Sequence, residues 1–137
     1  MPHIYSSGEY TKATGKKLDI RNPRQWTQTI AQEPALDAKT KGQLLRAEAA
    51  QQNGFENLGF FAAAVVAGNM GHLSPSVLNG LSIGYVVSRF VFNHVYMFNE
   101  TEFLAKCRSV SYIAGVGMCC ALYVMGGRAL NSSLLSV

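Results

Sequence analysis

The feature that most constrains this chain is a run from Asn57 to Ser88 that contains no Asp, Glu, Lys or Arg. The run is longer than the roughly 20 apolar residues that carry a helix across a bilayer once. Glycine, serine and proline interrupt it at residues 68–75, a pattern typical of a tight turn in which Ser74 caps a helix that starts at Pro75. The chain is therefore predicted to cross a membrane twice within this run.

A second charge-free stretch at residues 109–127 predicts a third crossing. Asp37 is placed to cap a helix that begins near Ala38 and continues into the first span as far as about Met70. Asn99 or Thr101 is the expected cap of the third long helix. We therefore expect an all-α fold, a transmembrane helical bundle with three spans. These spans cover about 52–70, 76–98 and 107–128.

Residues 1–37 differ in composition from the predicted membrane domain at 38–130. Of the twelve Lys and Arg residues, eight lie at or before Arg46. Glycines and prolines among these charges predict a mostly irregular segment with short helical turns at most. Basic residues beside apolar spans are typical of a cytoplasmic segment that contacts anionic lipid, so nucleic acid is disfavoured as a partner. Neither the histidines nor the three cysteines have the spacing of a metal site.

Polar residues at membrane depth are functional candidates because their burial without partners is costly. One stripe of the first long helix carries three of them, at Arg46, Asn53 and Asn57, with Glu56 at its edge. A carboxylate at this depth needs a cation or several donors. Two interpretations stay open: Glu56 and Arg89 form an internal ion pair that orients the helices, or these groups line a pocket for a polar ligand.

Three motifs occur in an order that is found in a known family. Residues 50–57 (AQQNGFEN) follow Arg46-Ala47 and resemble the second-helix signature of the MAPEG superfamily, the membrane-associated proteins of eicosanoid and glutathione metabolism. The spacing from Arg89 to Tyr96 and the pair Arg108-Ser109 are similar to later family positions. Asn22-Pro23-Arg24 likewise resembles the basic loop before the family's second helix.

The resemblance covers roughly Tyr5 to Gly127 and implies a four-helix membrane bundle that assembles as a homotrimer. This chain supplies three spans, and Pro2-His-Ile-Tyr resembles the end of the family's first helix, so a further span is expected to precede it. The resemblance also implies the endoplasmic reticulum as the location of this multi-pass protein. The basic residues before the first span predict that the amino-terminal segment is cytoplasmic. Its expected partners are the lipid bilayer and a lipophilic small molecule.

Glutathione is the co-substrate that the resemblance implies, bound between neighbouring subunits. The glutathione-binding positions carried over from the family are Gln51, Asn53, Glu56, Arg89, Tyr96 and Ser109. Glu56 would hold the ammonium group of the peptide. Arg108 is the implied catalytic residue, because a cation beside the sulfur stabilises the thiolate, which is the nucleophile that attacks electrophilic lipids or peroxides.

Two positions depart from the family pattern. Ala49 stands where enzymatic members carry an arginine, and Phe92 where they often carry Tyr or His. Loss of a carboxylate clamp should weaken glutathione binding, and Arg46, one turn earlier, is the expected substitute.

The expected function is that of a glutathione-dependent transferase or peroxidase acting on a lipophilic electrophile. The alternative is a non-catalytic MAPEG-like binding or scaffold protein. A third, less favoured interpretation is an unrelated small membrane protein in which Glu56 and Arg89 have structural roles alone.

Overall fold

A computed structural model describes residues 2–99 and 101–135, and these residues form five α-helices, one 3-10 turn and no strand. The predicted all-α class is thereby confirmed. The helices are α1 (Pro2–Thr14), α2 (Trp26–Gln32), α3 (Ala38–Met70), α4 (Pro75–Phe98) and α5 (Glu102–Leu135), and the 3-10 turn is Pro23–Gln25.

The start of α3 is fixed by a side-chain cap. The Asp37 carboxylate accepts hydrogen bonds from the backbone N–H groups of Lys39 and Thr40, at 3.0 and 3.1 Å. These bonds satisfy donors that the first turn of a helix leaves unpaired. The predicted cap at Asp37 is confirmed, as is the end of the helix at Met70.

The caps of α4 and α5 are partly as predicted. Ser74 occupies the N-cap position of α4 and Pro75 its first turn, but the Ser74 side chain makes no capping hydrogen bond. For α5, the Thr101 hydroxyl accepts from the Leu104 backbone N–H at 3.3 Å, which selects Thr101 over Asn99. The neighbouring Glu100 lies outside the described residues. This helix continues past the predicted end near residue 128.

The prediction of a mostly irregular amino-terminal segment is wrong. The helices α1 and α2 occupy much of it, and Gly15, at a φ of +69°, ends α1 in the left-handed conformation that suits glycine. The reason is tertiary, because this segment closes an apolar core over the first turns of α3. That core consists of Tyr10, Leu18, Trp26, Ile30, Leu36 and Leu44. The domain boundary at residue 37 stays a prediction.

The second half of α3 packs with α4 and α5 around a different core, which consists of Ala64, Tyr85, Cys119 and Leu122. We call this part of the molecule the long-helix region. Its backbones touch, since a β-carbon built on Gly126 would overlap the backbone carbonyl of Ala67, and one built on Gly71 would overlap Gly126. Small residues at helix contacts are typical of membrane proteins. Gly80 differs, because no atom lies within 4 Å of a β-carbon placed there.

One helix of the described residues, α5, is long and apolar enough to cross a membrane by length and composition. On α4, a continuous apolar surface faces outward instead of into the protein. Its side chains are each more than half exposed: Ile83, Val86, Val87 and Phe90. Exposed apolar patches of this kind mark membrane or protein contacts. The prediction of three spans stays a prediction.

Candidate functional site

The centre of the candidate site is a hydrogen bond between α3 and α4. Arg89 Nη1 donates to Asn53 Oδ1 at 3.1 Å, and Arg89 is 9% exposed. Asn57, one turn further along α3, donates its side-chain amide to the Asn53 backbone carbonyl at 2.8 Å. The polar stripe predicted on the first long helix therefore does meet a cation of the second, through Asn53.

Most of the hydrogen-bonding capacity of Arg89 is unused. Its Nε and Nη2 atoms are buried, and neither has a hydrogen-bond partner among the described residues. Aromatic rings surround the guanidinium carbon, which lies 4.6 Å from the ring centre of Phe92, 4.9 Å from Tyr112 and 5.7 Å from Tyr85. Cation–π attraction offsets part of the desolvation, yet buried donors without acceptors remain costly. The guanidinium is thus poised to bind a carboxylate or carbonyl oxygen.

Tyr112 is a site residue that the sequence reasoning missed. Its ring centre lies 5.8 Å from that of Phe92, so α5 contributes to the aromatic surroundings of Arg89. Tyr112 follows Arg108 by four residues, and helical residues at this spacing share a face. That spacing was the available signal, because it places Tyr112 one turn from the expected catalytic arginine.

Arg108 extends the same cluster towards the end of α4. Its guanidinium carbon lies 5.1 Å from the Tyr96 ring centre, and the Tyr96 ring lies 5.5 Å from Phe92. Two guanidinium groups are therefore joined through adjacent aromatic rings between α4 and α5. Of the residues that the sequence nominated, the structure brings together Asn53, Arg89, Tyr96 and Arg108.

The other nominated residues lie elsewhere. Arg46 donates from Nε to the Met97 backbone carbonyl at 3.2 Å, and Gln51 accepts from the His3 backbone N–H at 3.1 Å. Ser109 is exposed, and its hydroxyl donates to a backbone carbonyl of its own helix.

The suggested internal pair of Glu56 and Arg89 is wrong. Glu56 is exposed and accepts from Gln52 Nε2 at 3.0 Å, while Arg89 is bound to Asn53. Residues three apart on a helix are turned by roughly 60° from each other. Because Asn53 points at α4, Glu56 is directed to the neighbouring face of α3.

The neighbouring face of α3 lines a cavity, which we call the amino-terminal cavity. It has a volume of about 740 Å³ and lies between α1, the 3-10 turn and α3. Glu48, on its wall, accepts from His3 Nδ1 at 3.3 Å and from the Ser6 hydroxyl. The His3 ring stacks on Trp26 with 4.0 Å between ring centres. The lining residues are His3, Pro23, Arg24, Thr27, Leu45, Glu48, Ala49, Gln51, Gln52, Phe55 and Glu56.

Comparison with known protein families assigns the chain to a family. The model of the MAPEG family matches residues 10–128, which include every nominated site residue. The chain belongs to the MAPEG family. It is thereby a membrane protein of the glutathione and eicosanoid metabolism type. The searches of curated proteins and of solved structures returned no match.

The MAPEG assignment raises the question of whether these residues fit glutathione. Glutathione carries two carboxylates, one ammonium group and one thiol. The free donors of Arg89 suit a carboxylate, and Arg108 offers a cation for a thiolate. Carboxylates suited to an ammonium group, Glu48 and Glu56, line the amino-terminal cavity. The residue types fit the peptide, and they lie on adjacent faces of α3.

Proposed function

We propose that this protein is an integral membrane enzyme that uses glutathione to conjugate a lipophilic electrophile or to reduce a lipid peroxide. The observation that carries the proposal is the buried Arg89, which is held by Asn53 and keeps two donors without partners. A group of this kind is costly unless a ligand completes it. Membership of the MAPEG family supports glutathione as that ligand.

Each residue of the cluster has a distinct task in this proposal. Arg89 and Asn53 bind oxygen atoms of the peptide, and glutathione when bound supplies the thiol. Arg108 stabilises the thiolate electrostatically, because a cation close to the sulfur favours the charged form. The thiol proton passes to water, the sulfur forms a bond with the electrophilic carbon, and the leaving group departs with its electron pair. With a lipid peroxide, the sulfur attacks one peroxide oxygen, the O–O bond breaks to release the lipid alcohol, and a second glutathione converts the resulting sulfenic acid into a disulfide and water.

We further propose that α3, α4 and α5 all cross the bilayer, with the amino-terminal segment in the cytoplasm. The charge-free run at 57–88 and the exposed apolar face of α4 support this arrangement. A lipophilic substrate would then reach the cluster from the lipid. The endoplasmic reticulum and a homotrimer, with glutathione bound at the subunit boundary, follow from the family resemblance.

The decisive test is turnover by the protein purified in detergent, with glutathione and chlorodinitrobenzene as substrates. We expect Arg108→Ala to lower kcat at least tenfold while the protein still binds glutathione, since its role is in thiolate formation. Arg128→Ala is the matched control, because Arg128 is exposed further along the same helix. Equal turnover by Arg108→Ala and the unaltered protein would exclude this mechanism.

A second candidate function is that of a non-catalytic membrane binding or scaffold protein. It is favoured by the exposure of Glu56 and Ser109, which do not face Arg89, and by Ala49 and Phe92 at positions where enzymatic members carry polar residues. Glutathione binding without turnover would support a receptor-like protein. Absence of both binding and turnover would support a scaffold.

A further inference from the structure

The amino-terminal cavity carries opposite charges on different elements of the fold. Glu48 and Glu56 line it from α3, and Arg24 lines it from the 3-10 turn. Its volume of about 740 Å³ falls in the range of roughly 300–1,000 Å³ that is usual for small-molecule sites. Glu48 and Glu56 suit an ammonium group, whereas the chemistry proposed at Arg89 and Arg108 gives Arg24 no role.

Arg24 is held on a well-anchored backbone, yet its guanidinium is free. Pro23 starts the 3-10 turn, and the adjacent Trp26 is 4% exposed and donates from Nε1 to the Asp19 backbone carbonyl at 2.8 Å. Within the described part of the chain, Arg24 has no hydrogen bond or ion pair. Arg21 differs in this respect, because its Nε donates to the Asp19 carboxylate at 3.1 Å. Arg24 is thus available to a ligand.

The carboxylate of Glu48 is pre-oriented. The His3 ring and the Ser6 hydroxyl hold it, and its side chain is 13% exposed. Ala49 also lines the cavity, and its methyl group leaves this wall open without contributing charge. Arg46, the cation expected to act here, is turned away towards the Met97 backbone carbonyl. Among the residues that line the cavity, Arg24 is therefore the guanidinium that can meet an anion.

We propose that the amino-terminal cavity binds the amino-acid head of the co-substrate, with Arg24 as the clamp for its α-carboxylate. Glu48 and Glu56 then bind the neighbouring ammonium group. This inference rests on the proposed function, because the γ-glutamyl end of glutathione carries such a head. A guanidinium suits the task, since it can donate two parallel hydrogen bonds to one carboxylate.

The test is isothermal titration of purified protein in detergent with two ligands. One is glutathione, and the other is the analogue that lacks the α-carboxylate, 4-aminobutyryl-cysteinylglycine. We expect Arg24→Gln to weaken glutathione binding about tenfold, as removal of a charge-assisted contact does. The analogue should bind the unaltered protein and Arg24→Gln equally, because it has no group for Arg24 to hold.

Arg21→Gln is the matched control, since it removes an equal charge three residues away, and we expect it to bind glutathione as the unaltered protein does. Arg24→Lys keeps the charge but loses the bidentate fork, so its affinity should be intermediate, and it serves as the readout if Arg24→Gln does not fold. Equal loss of affinity for both ligands in Arg24→Gln would contradict the clamp.

The outcomes separate this inference from the proposed function. If the unaltered protein binds glutathione and Arg24→Gln binds it equally well, the clamp is wrong and the proposed function stands. If the unaltered protein does not bind glutathione, both fail. A zwitterionic phospholipid offers similar chemistry, so retained phosphatidylethanolamine is measured by mass spectrometry. Its loss in Arg24→Gln at unchanged glutathione affinity would assign the cavity to a lipid headgroup and overturn the inference.

Discussion

The amino-terminal region, which is residues 2–37 with the first turns of α3, is stabilised differently from the long-helix region. The first closes large side chains over the start of α3, among them Tyr10, Trp26 and Ile30, each at most 4% exposed. The second brings backbones together at small residues such as Gly71 and Gly126, while its apolar side chains face outward. Burial of large apolar side chains stabilises a fold only where the unburied side chains would contact water. Close packing of small residues also stabilises helix contacts in lipid. The difference agrees with the proposed placement of the long-helix region in the bilayer and of the amino-terminal region in water.

The charges of the two regions differ in the same way. In the amino-terminal region the buried carboxylate is paired, since Glu33 accepts from Lys16 at 3.0 Å and from Tyr10 at 3.0 Å, while the unpaired Arg24 is exposed to solvent. In the long-helix region, Arg89 is buried with two donors unpaired. An ion pair near water contributes little free energy, while a buried donor without a partner is costly unless a ligand completes it. The comparison therefore favours the long-helix region as the place of the chemistry.

The largest effect is expected from Ile30→Ala, which tests whether the amino-terminal region can open alone. Ile30 is 0% exposed, and its truncation should cost about 3 kcal/mol. Trp26, the one tryptophan of the chain, lies in the same core and reports opening by fluorescence. In Ile30→Ala, we expect the transition seen by Trp26 fluorescence to occur at a lower temperature than the transition seen by helical circular dichroism. Ile20→Ala is the control, at a side chain that is 81% exposed.

If the fluorescence and dichroism transitions of Ile30→Ala coincide, the separate stabilisation of the two regions is contradicted. The two regions would then unfold as one cooperative unit.

Gly126→Ala should destabilise the long-helix region by about 2 kcal/mol, because a β-carbon there overlaps the Ala67 carbonyl. Gly127→Ala is the matched control, since no atom lies within 4 Å of a β-carbon at that position. It should leave stability equal or slightly higher, because alanine favours a helix over glycine. Thermal unfolding in detergent, followed by circular dichroism, measures both. Equal melting temperatures for the two variants would contradict the backbone contact.

Asn53 and Arg89 should be coupled by about 1 kcal/mol, the size of a typical net hydrogen bond. A double-mutant cycle tests this coupling. Thermal stability and glutathione affinity are measured for Asn53→Ala, for Arg89→Lys and for the double variant. We expect the coupling to appear in affinity as well as in stability. Coupling confined to stability would make this pair a structural one, like the ion pairs of the amino-terminal region.

The smallest effect concerns pH. Hydrogen bonds from Lys16 and then Tyr10 lower the pKa of Glu33 from its usual value of 4.5. A lowered pKa contributes stability that is present above pH 4.5 and is lost as pH falls through the folded-state pKa. The melting temperature followed by Trp26 fluorescence should therefore fall on acidification in this range. Glu33→Gln should reduce that fall. Because Lys16 is largely exposed, we expect a shift of a few degrees at most.

Glu9→Gln is the control for the pH experiment. Glu9 forms an ion pair with Lys12 on the exposed surface of α1. An equal pH response in Glu9→Gln and Glu33→Gln would show that the hydrogen bonds from Lys16 and Tyr10 to Glu33 are not the cause.

Local signals in the sequence predicted where the long helices begin and where α3 and α4 end. Asp37 and Thr101 cap their helices, and α3 ends at Met70 as expected, because capping and turn chemistry act over a few residues. The helix α1 was not predicted, since its stability comes from contacts with α3 that are distant in sequence. Propensity is a weak guide where tertiary packing decides.

The candidate site divides in the same way. Motif spacing nominated Asn53, Arg89, Tyr96 and Arg108, which the structure brings together. The cost of a buried carboxylate left open an ion pair of Glu56 with Arg89, and here the direction of each side chain around α3 decided otherwise.

The sequence by itself determined the helical class, the ends of α3 and α4 and the MAPEG family, because charge-free runs, caps and motif spacing are read along the chain. Only the tertiary structure decided that Tyr112 joins Arg89 and that Arg24 shares a cavity with Glu48. The physical reason is that a side chain finds its partners through the rotation of its helix and the packing of distant segments. Sequence position does not fix either of these.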